Sequence, residues 1–171
     1  MVTERAEPPL RAGEREMLLG WLDYHRATLL WKCEGLSDDQ LRERAVPPSA
    51  LSLLGLVRHL AECEHSWFRK VLLGEDVPYL YVTEQDNDAD FNDVDKADVA
   101  EDIRTFERAC QAAREAIASA PDLDTVSKKP DRRTGEQFSL RWIITHMIEE
   151  YARHNGHADL LRERIDGATG D

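Results

Sequence analysis

Basic residues are scarce in this sequence. Lys and Arg total 22 against 34 Asp and Glu, for a formal net charge of -12 and a pI near 4.9. A nucleic-acid groove or a polybasic membrane contact needs the opposite surplus, so neither partner is expected. Long apolar runs are also missing. None reaches the roughly 18 residues of a membrane span, and residues 1–13 contain no apolar h-region of a secretory signal. Cysteine is sparse. Cys33, Cys63 and Cys110 are odd in number and widely spaced, which is not a disulfide framework. A cytoplasmic, reducing setting is expected. No Gly-rich phosphate loop, nucleophile elbow or His-Glu-x-x-His helix occurs.

What remains is an ordinary soluble composition. The 171 residues are 42% apolar and 33% charged, enough for one domain with its own core. A single domain over residues 1–171 is expected, with residues 1–12 as a flexible N-terminus.

Apolar spacing of i, i+3/i+4 marks four long helical segments. The first covers residues 13–34, with Leu18, Trp21, Leu22 and Leu29 on one stripe and Gly35 as a stop. Ser37-Asp38-Asp39-Gln40 then reads as a capping box before a short helical turn. The second covers 51–73, with Leu53, Leu56, Val57, Leu60, Trp67 and Phe68 on its apolar face and Gly74 at its end. The third covers 98–120, and acidic Asp98, Glu101 and Asp102 suit its N-terminus. The fourth covers 139–165, capped by Ser139, stopped by Gly167, with Trp142, Ile143, Met147, Leu160 and Leu161 as apolar contacts. No strand pattern is visible. Residues 75–97 and 121–138 read as irregular connections, the first with an acidic run from Glu84 to Asp90 that lacks the glycine and final glutamate of a calcium loop. The fold expected is all-α: a four-helix bundle with long, partly irregular connections.

Six histidines are candidates for chemistry: His25, His59, His65, His146, His154 and His157. Glu150 and His154 are four apart and share a helix face. A carboxylate and an imidazole held together supply two ligands of a divalent-metal site. A third must come from elsewhere. His59 lies within the apolar stripe of the second segment, where an imidazole is costly to bury unless its nitrogens are satisfied. The alternative reading is a core histidine bonded to a backbone group or carboxylate. Other pairs have usable spacing: His146 with Glu150, His154 with His157, and His59 with Cys63, while His65 joins if the second helix rotates. His146, Glu150 and His154 span about 12 Å of helix rise and cannot all meet one ion. Cys63 reads as a buried, inert thiol. Spacing alone leaves the ligand set open.

Certain motifs resemble a known family. They are Gly35-Leu36-Ser37-Asp38, then Pro47-Pro48-Ser49 leading into Leu56-Val57-Arg58-His59-Leu60 with Glu64 and Trp67-Phe68. The most specific runs from Glu150-Tyr151-Ala152-Arg153-His154 through His157 and Asp159 to Arg162, then Ile165-Asp166-Gly167. Together they resemble the DinB-like superfamily of metal-binding four-helix proteins over nearly the whole chain. The branch they look closest to is actinobacterial, similar to the N-terminal metal-binding domain of mycothiol-dependent maleylpyruvate isomerase. The wider superfamily has histidine at the first position of the pair on the last helix. This sequence has Glu150 there, as that branch does.

The resemblance implies that His59, Glu150 and His154 bind Zn²⁺, with Ni²⁺ or Fe²⁺ also accepted. It implies a metal-dependent thiol transferase in detoxification, which adds mycothiol or a similar low-molecular-weight thiol to a small electrophile through a metal-bound thiolate. Arg153, His157 and Asp159 are candidates for contacting that thiol, against the plainer reading of a solvated helix face. A homodimer is a candidate assembly. The isomerase carries a further C-terminal domain without a counterpart in this sequence, so isomerisation itself is not expected. A non-catalytic metal- or small-ligand-binding protein and a metal-dependent hydrolase are the alternatives.

Overall fold

The computed structural model describes residues 5–170. The four periodic segments become α1 (Glu14–Cys33), α3 (Leu53–Glu64), α5 (Val99–Ser119) and α6 (Leu140–Asp166). Two short helices, α2 (Asp38–Arg42) and α4 (Ala89–Asn92), lie in the connections. The chain leaves α3 without a break as a π-helical stretch, His65–Leu72.

Side chains cap the free amides at the starts of α2, α3, α5 and α6. Ser37 Oγ accepts from Gln40 N, and the Gln40 side chain accepts from Ser37 N, which closes the capping box. Ser52, Asp98 and Ser139 accept from the amides three residues on, at Gly55, Glu101 and Trp142. Gly167 ends α6 in the left-handed region, φ 79°, where glycine carries no Cβ penalty.

The long helices enclose one core. α1 packs on α6, α3 packs on α5, and α3 also meets α6. Leu22, Leu29, Leu56, Leu60, Phe106 and Ile143 lie fully buried between them. Trp21, Trp142 and Leu160, assigned to apolar stripes from the sequence, are instead 43%, 45% and 58% exposed. On α6 the neighbouring Ile143 and Leu161 take the inward positions; one residue along a helix turns the side chain by about 100°.

The connection expected to be a polar loop contains a hairpin. β1 (Val126–Pro130) pairs antiparallel with β2 (Gln137–Ser139), Val126 opposite Ser139 and Pro130 opposite Gln137, with an irregularity between. Its strands are short, and one holds Pro130 and two lysines, so no alternating pattern announces them. Side-chain bonds and packing stabilise it instead. Gln137 Nε2 donates to Ser127 O at 2.6 Å, Phe138 N donates to Ser127 Oγ at 3.1 Å, and β1 packs against the π-helical stretch.

Of the N-terminal residues expected to be flexible, 1–4 lie outside the described residues. Residues 5–12 run beside α1. Pro8 is buried, and the Arg5 guanidinium lies over the rings of Tyr24 and Trp31.

Candidate metal centre

Where α3 faces α6, three side chains converge. His59 comes from the middle of α3. Glu150 and His154 come from successive turns of α6. His59 Nε2 is 3.9 Å from Glu150 Oε2, and His154 Nε2 is 3.6 Å from the same oxygen. One donor atom from each of the three lies within 4.8 Å of the others. These gaps are too long for hydrogen bonds. A tetrahedral ion bound about 2.1 Å from each donor would hold them roughly 3.4 Å apart. Shifts of well under 1.5 Å therefore turn the open triangle into a coordination shell.

The orientation of His59 is set from behind. Its Nδ1 lies 2.8 Å from Asp90 Oδ2. An ionised carboxylate only accepts, so Nδ1 carries the proton and Nε2 presents a lone pair to Glu150 and His154. Asp90 is buried on α4, and its other oxygen accepts from Phe91 N. The Phe91 ring stacks on His59, centroids 4.7 Å apart. Arg58, the neighbour of His59, donates to the carbonyls of Ala89 and Asp90 and pairs with Asp102. The α3 residue next to the imidazole thus anchors the short helix that supplies its carboxylate.

His154 titrates low. Burial, followed by the nearby His59, His157 and Arg153, lowers its pKa to about 4. At neutral pH it is uncharged, the form that ligates a metal. Its Nδ1 is 3.3 Å from His157 Nδ1.

Glu150 carries the charge. Its side chain is only 15% exposed. Oε2 faces His59 and His154, while Oε1 faces His146 and Arg153, each at 3.8 Å. A half-buried carboxylate without a close partner is costly, and a cation at the triangle would relieve that cost. Two imidazoles and a carboxylate are the donor set of a divalent transition metal.

The rival sets fare differently. His146, Glu149 and Glu150 also approach within 4.8 Å of one another and could hold an ion. Arg153, however, already bonds Glu149 and stands beside Glu150 Oε1, so that outer group has a cation of its own. His65 is turned away, with Nε2 2.9 Å from Pro78 O. His25 faces Asn155. Cys63 Sγ lies 3.6 Å from His59 Nε2. Burial, then the charges of Glu150 and Asp90, push its thiol far above the ordinary range, so it stays protonated.

Of the residues considered for thiol contact, Arg153 is exposed beside Glu149 and Glu150, and His157 touches His154. Asp159 is turned to α1, where it pairs with Lys32. Sequence reasoning missed Asp90 and Phe91. Asp90 sits in an acidic run 31 residues from its partner. Its only local signal is its place between Ala89 and Phe91, the most apolar point of that run.

A search among curated proteins returns no match. The Mycothiol-S-transferase family model matches residues 17–167, from the first turn of α1 to the glycine that ends α6, and takes in every residue of the triangle. The chain belongs to the mycothiol S-transferases, a DinB-like family.

Proposed function

We propose that this protein is a metal-dependent thiol transferase that adds mycothiol, or a similar low-molecular-weight thiol, to a small electrophile. The observation that carries this reading is the convergence of His59 Nε2, Glu150 Oε2 and His154 Nε2, with Asp90 fixing the first. His59, Glu150 and His154 would hold a divalent cation, Zn²⁺ by preference and Ni²⁺ or Fe²⁺ by similar chemistry, which would lower the pKa of a thiol and fix its sulfur in space.

The protein's own residues do the rest. Asp90 holds the His59 proton at Nδ1, so Nε2 faces inward at all times. His154 stays neutral well below physiological pH. Glu150 contributes one negative charge, so a divalent ion keeps a net positive charge for an anionic sulfur. Phe91, stacked on His59, shields one side of the centre from water. In the transfer, the thiol proton passes to solvent, a sulfur–carbon bond forms, and the leaving group departs with its electron pair. His157 and Arg153, flanking the ligands on the same helix, are proposed to contact the thiol's polar portion.

The role proposed is removal of reactive electrophiles in the cytoplasm. Three free cysteines suit a reducing compartment, and among the described residues no helix is long and apolar enough to cross a membrane.

The test is direct. Metal-loaded protein, mycothiol and monobromobimane are combined, and conjugate is measured against metal-stripped protein. Conjugation faster than both the stripped protein and the uncatalysed reaction is expected. No acceleration across several electrophiles and metals, or turnover of simple esters with no thiol added, overturns the reading.

A further inference from the structure

One turn before Glu150 on α6 stands His146, and one turn before that stands Trp142. Their rings stack, with centroids 5.0 Å apart and planes at 21°. Phe138, in β2, lies 4.7 Å from Trp142 and edge-on to Trp67 at 5.1 Å. Trp67, in the π-helical stretch, touches both Trp142 and His146, at 5.3 and 4.8 Å. Four rings from three elements form one continuous surface. Its inner edge is the His146 imidazole, whose Nε2 is 3.8 Å from Glu150 Oε1. The other oxygen of that carboxylate faces His59 and His154. Glu150 therefore stands between the ring surface and the candidate metal centre, one oxygen towards each.

This surface is held open by the way the chain is built. Large aromatic rings ordinarily go to the core, as Phe68 does, fully buried one position after Trp67. Trp142 remains 45% exposed. A π turn advances by fewer degrees per residue than an α turn, and such turns recur at functional sites. Here the π-helical stretch begins at His65 and turns Trp67 onto the side of α6 that carries the ligands. The hairpin that delivers Phe138 packs on the same stretch. Beside His146, Glu149 is paired with Arg153.

We propose that Trp142, His146, Trp67 and Phe138 form the subsite for the electrophilic co-substrate, and that this subsite selects flat, uncharged, conjugated molecules. Such a molecule packs against the exposed edge of Trp142 and buries apolar area there. Its reacting carbon then lies at the His146 edge, next to the centre where the sulfur is held. Charged or compact aliphatic electrophiles gain neither contact. This inference rests on the transferase reading for the identity of the ligand, but its geometry does not depend on turnover.

The probe is dimethylbimane, which has the ring system of monobromobimane and no leaving group. Calorimetric titration of the metal-loaded protein is expected to give saturable binding. Trp142→Ala is expected to weaken it about tenfold, Trp142→Phe to restore most of it, and both variants to keep full metal content. With thiol present, sulfur displaces bromide from monobromobimane, and the thiol proton passes to buffer. The preference for monobromobimane over compact iodoacetamide is expected to fall in Trp142→Ala by a similar factor. If Trp142→Ala does not fold, Trp142→Leu serves in its place. Absent dimethylbimane binding, or equal affinity in the substituted proteins, overturns the proposal. So does a self-association that depends on Trp142 in a protein that does not bind the probe. Binding without conjugation keeps the subsite and rejects thiol transfer. Accelerated conjugation indifferent to Trp142 does the reverse.

Discussion

Glu64 and Glu150 are two carboxylates on helices that line the same bundle, and their surroundings differ completely. Glu64 is fully buried. Both of its oxygens accept from Arg26 at 2.6 Å, and Tyr151 OH adds a third bond at 2.9 Å. Cys110 contacts the Tyr151 hydroxyl. One residue each from α1, α3, α5 and α6 thus meets in a closed network with its charge neutralised. Glu150 has no partner that close. Its neighbours are imidazoles and one arginine, all at 3.6 to 3.9 Å. The fold completes the first carboxylate internally and leaves the second incomplete. Burial of a charge does not by itself mark a site. A half-buried carboxylate whose ring of donors stands just beyond bonding distance makes a candidate.

Breaking the closed side is expected to cost most. Glu64→Ala leaves the buried Arg26 guanidinium with the half-exposed Asp23 as its one carboxylate partner, a loss of about 3 kcal/mol. Chemical denaturation reads it as a large drop in midpoint or a failure to fold. Replacing both partners with apolar residues, Arg26→Met with Glu64→Leu, is expected to recover much of that loss, because no uncompensated charge remains.

The open side is expected to answer oppositely. His154→Ala removes a proposed ligand and is expected to lower metal affinity by about 100-fold or more, beyond the range for supporting residues. Metal content after dialysis measures it. The metal-free variant should lose far less stability than Glu64→Ala, since no bonded network is broken. Asp90→Asn is the gentler form of this test. It keeps the shape but weakens the hold on His59 Nδ1, and about a tenfold loss of metal affinity is expected.

The smallest effect is one of pH. The His154 pKa falls from 6.5 to about 4 in the folded chain, through burial and then the charges of His59 and His157. Between these values the unfolded chain binds more protons. The contribution of His154 is therefore intact above pH 6.5 and is lost as pH falls towards 4. Urea midpoints of the metal-free protein should decline across that window, and less steeply in His154→Gln. Solvent at the open side of the triangle screens the effect and keeps it small.

Much was legible in advance. With the π-helical stretch counted as the end of the second segment, the four helix segments fall within two residues of their observed ends, and the caps at Ser37 and Ser139 and the stop at Gly167 are where the local signals put them. Helical period and capping are properties of a few neighbouring residues, so one sequence is enough to read them. The Glu150–His154 couple was legible for the same reason, being four apart on one helix. The choice of His59 over its rivals was not. The family resemblance pointed to it, but spacing allowed several sets, and only the facing of α3 and α6 brings its Nε2 to the couple.

Local pattern determines the helices, their ends and the half of the site carried by a single helix, because those features depend on residues a turn or two apart. Tertiary packing alone decides the rest: Asp90 reaching His59 from 31 positions away, Glu64 closing on Arg26 across 38, and the hairpin carrying Phe138 to Trp67. Such pairings arise when separate elements dock, and no period within any one of them encodes the partner it will meet.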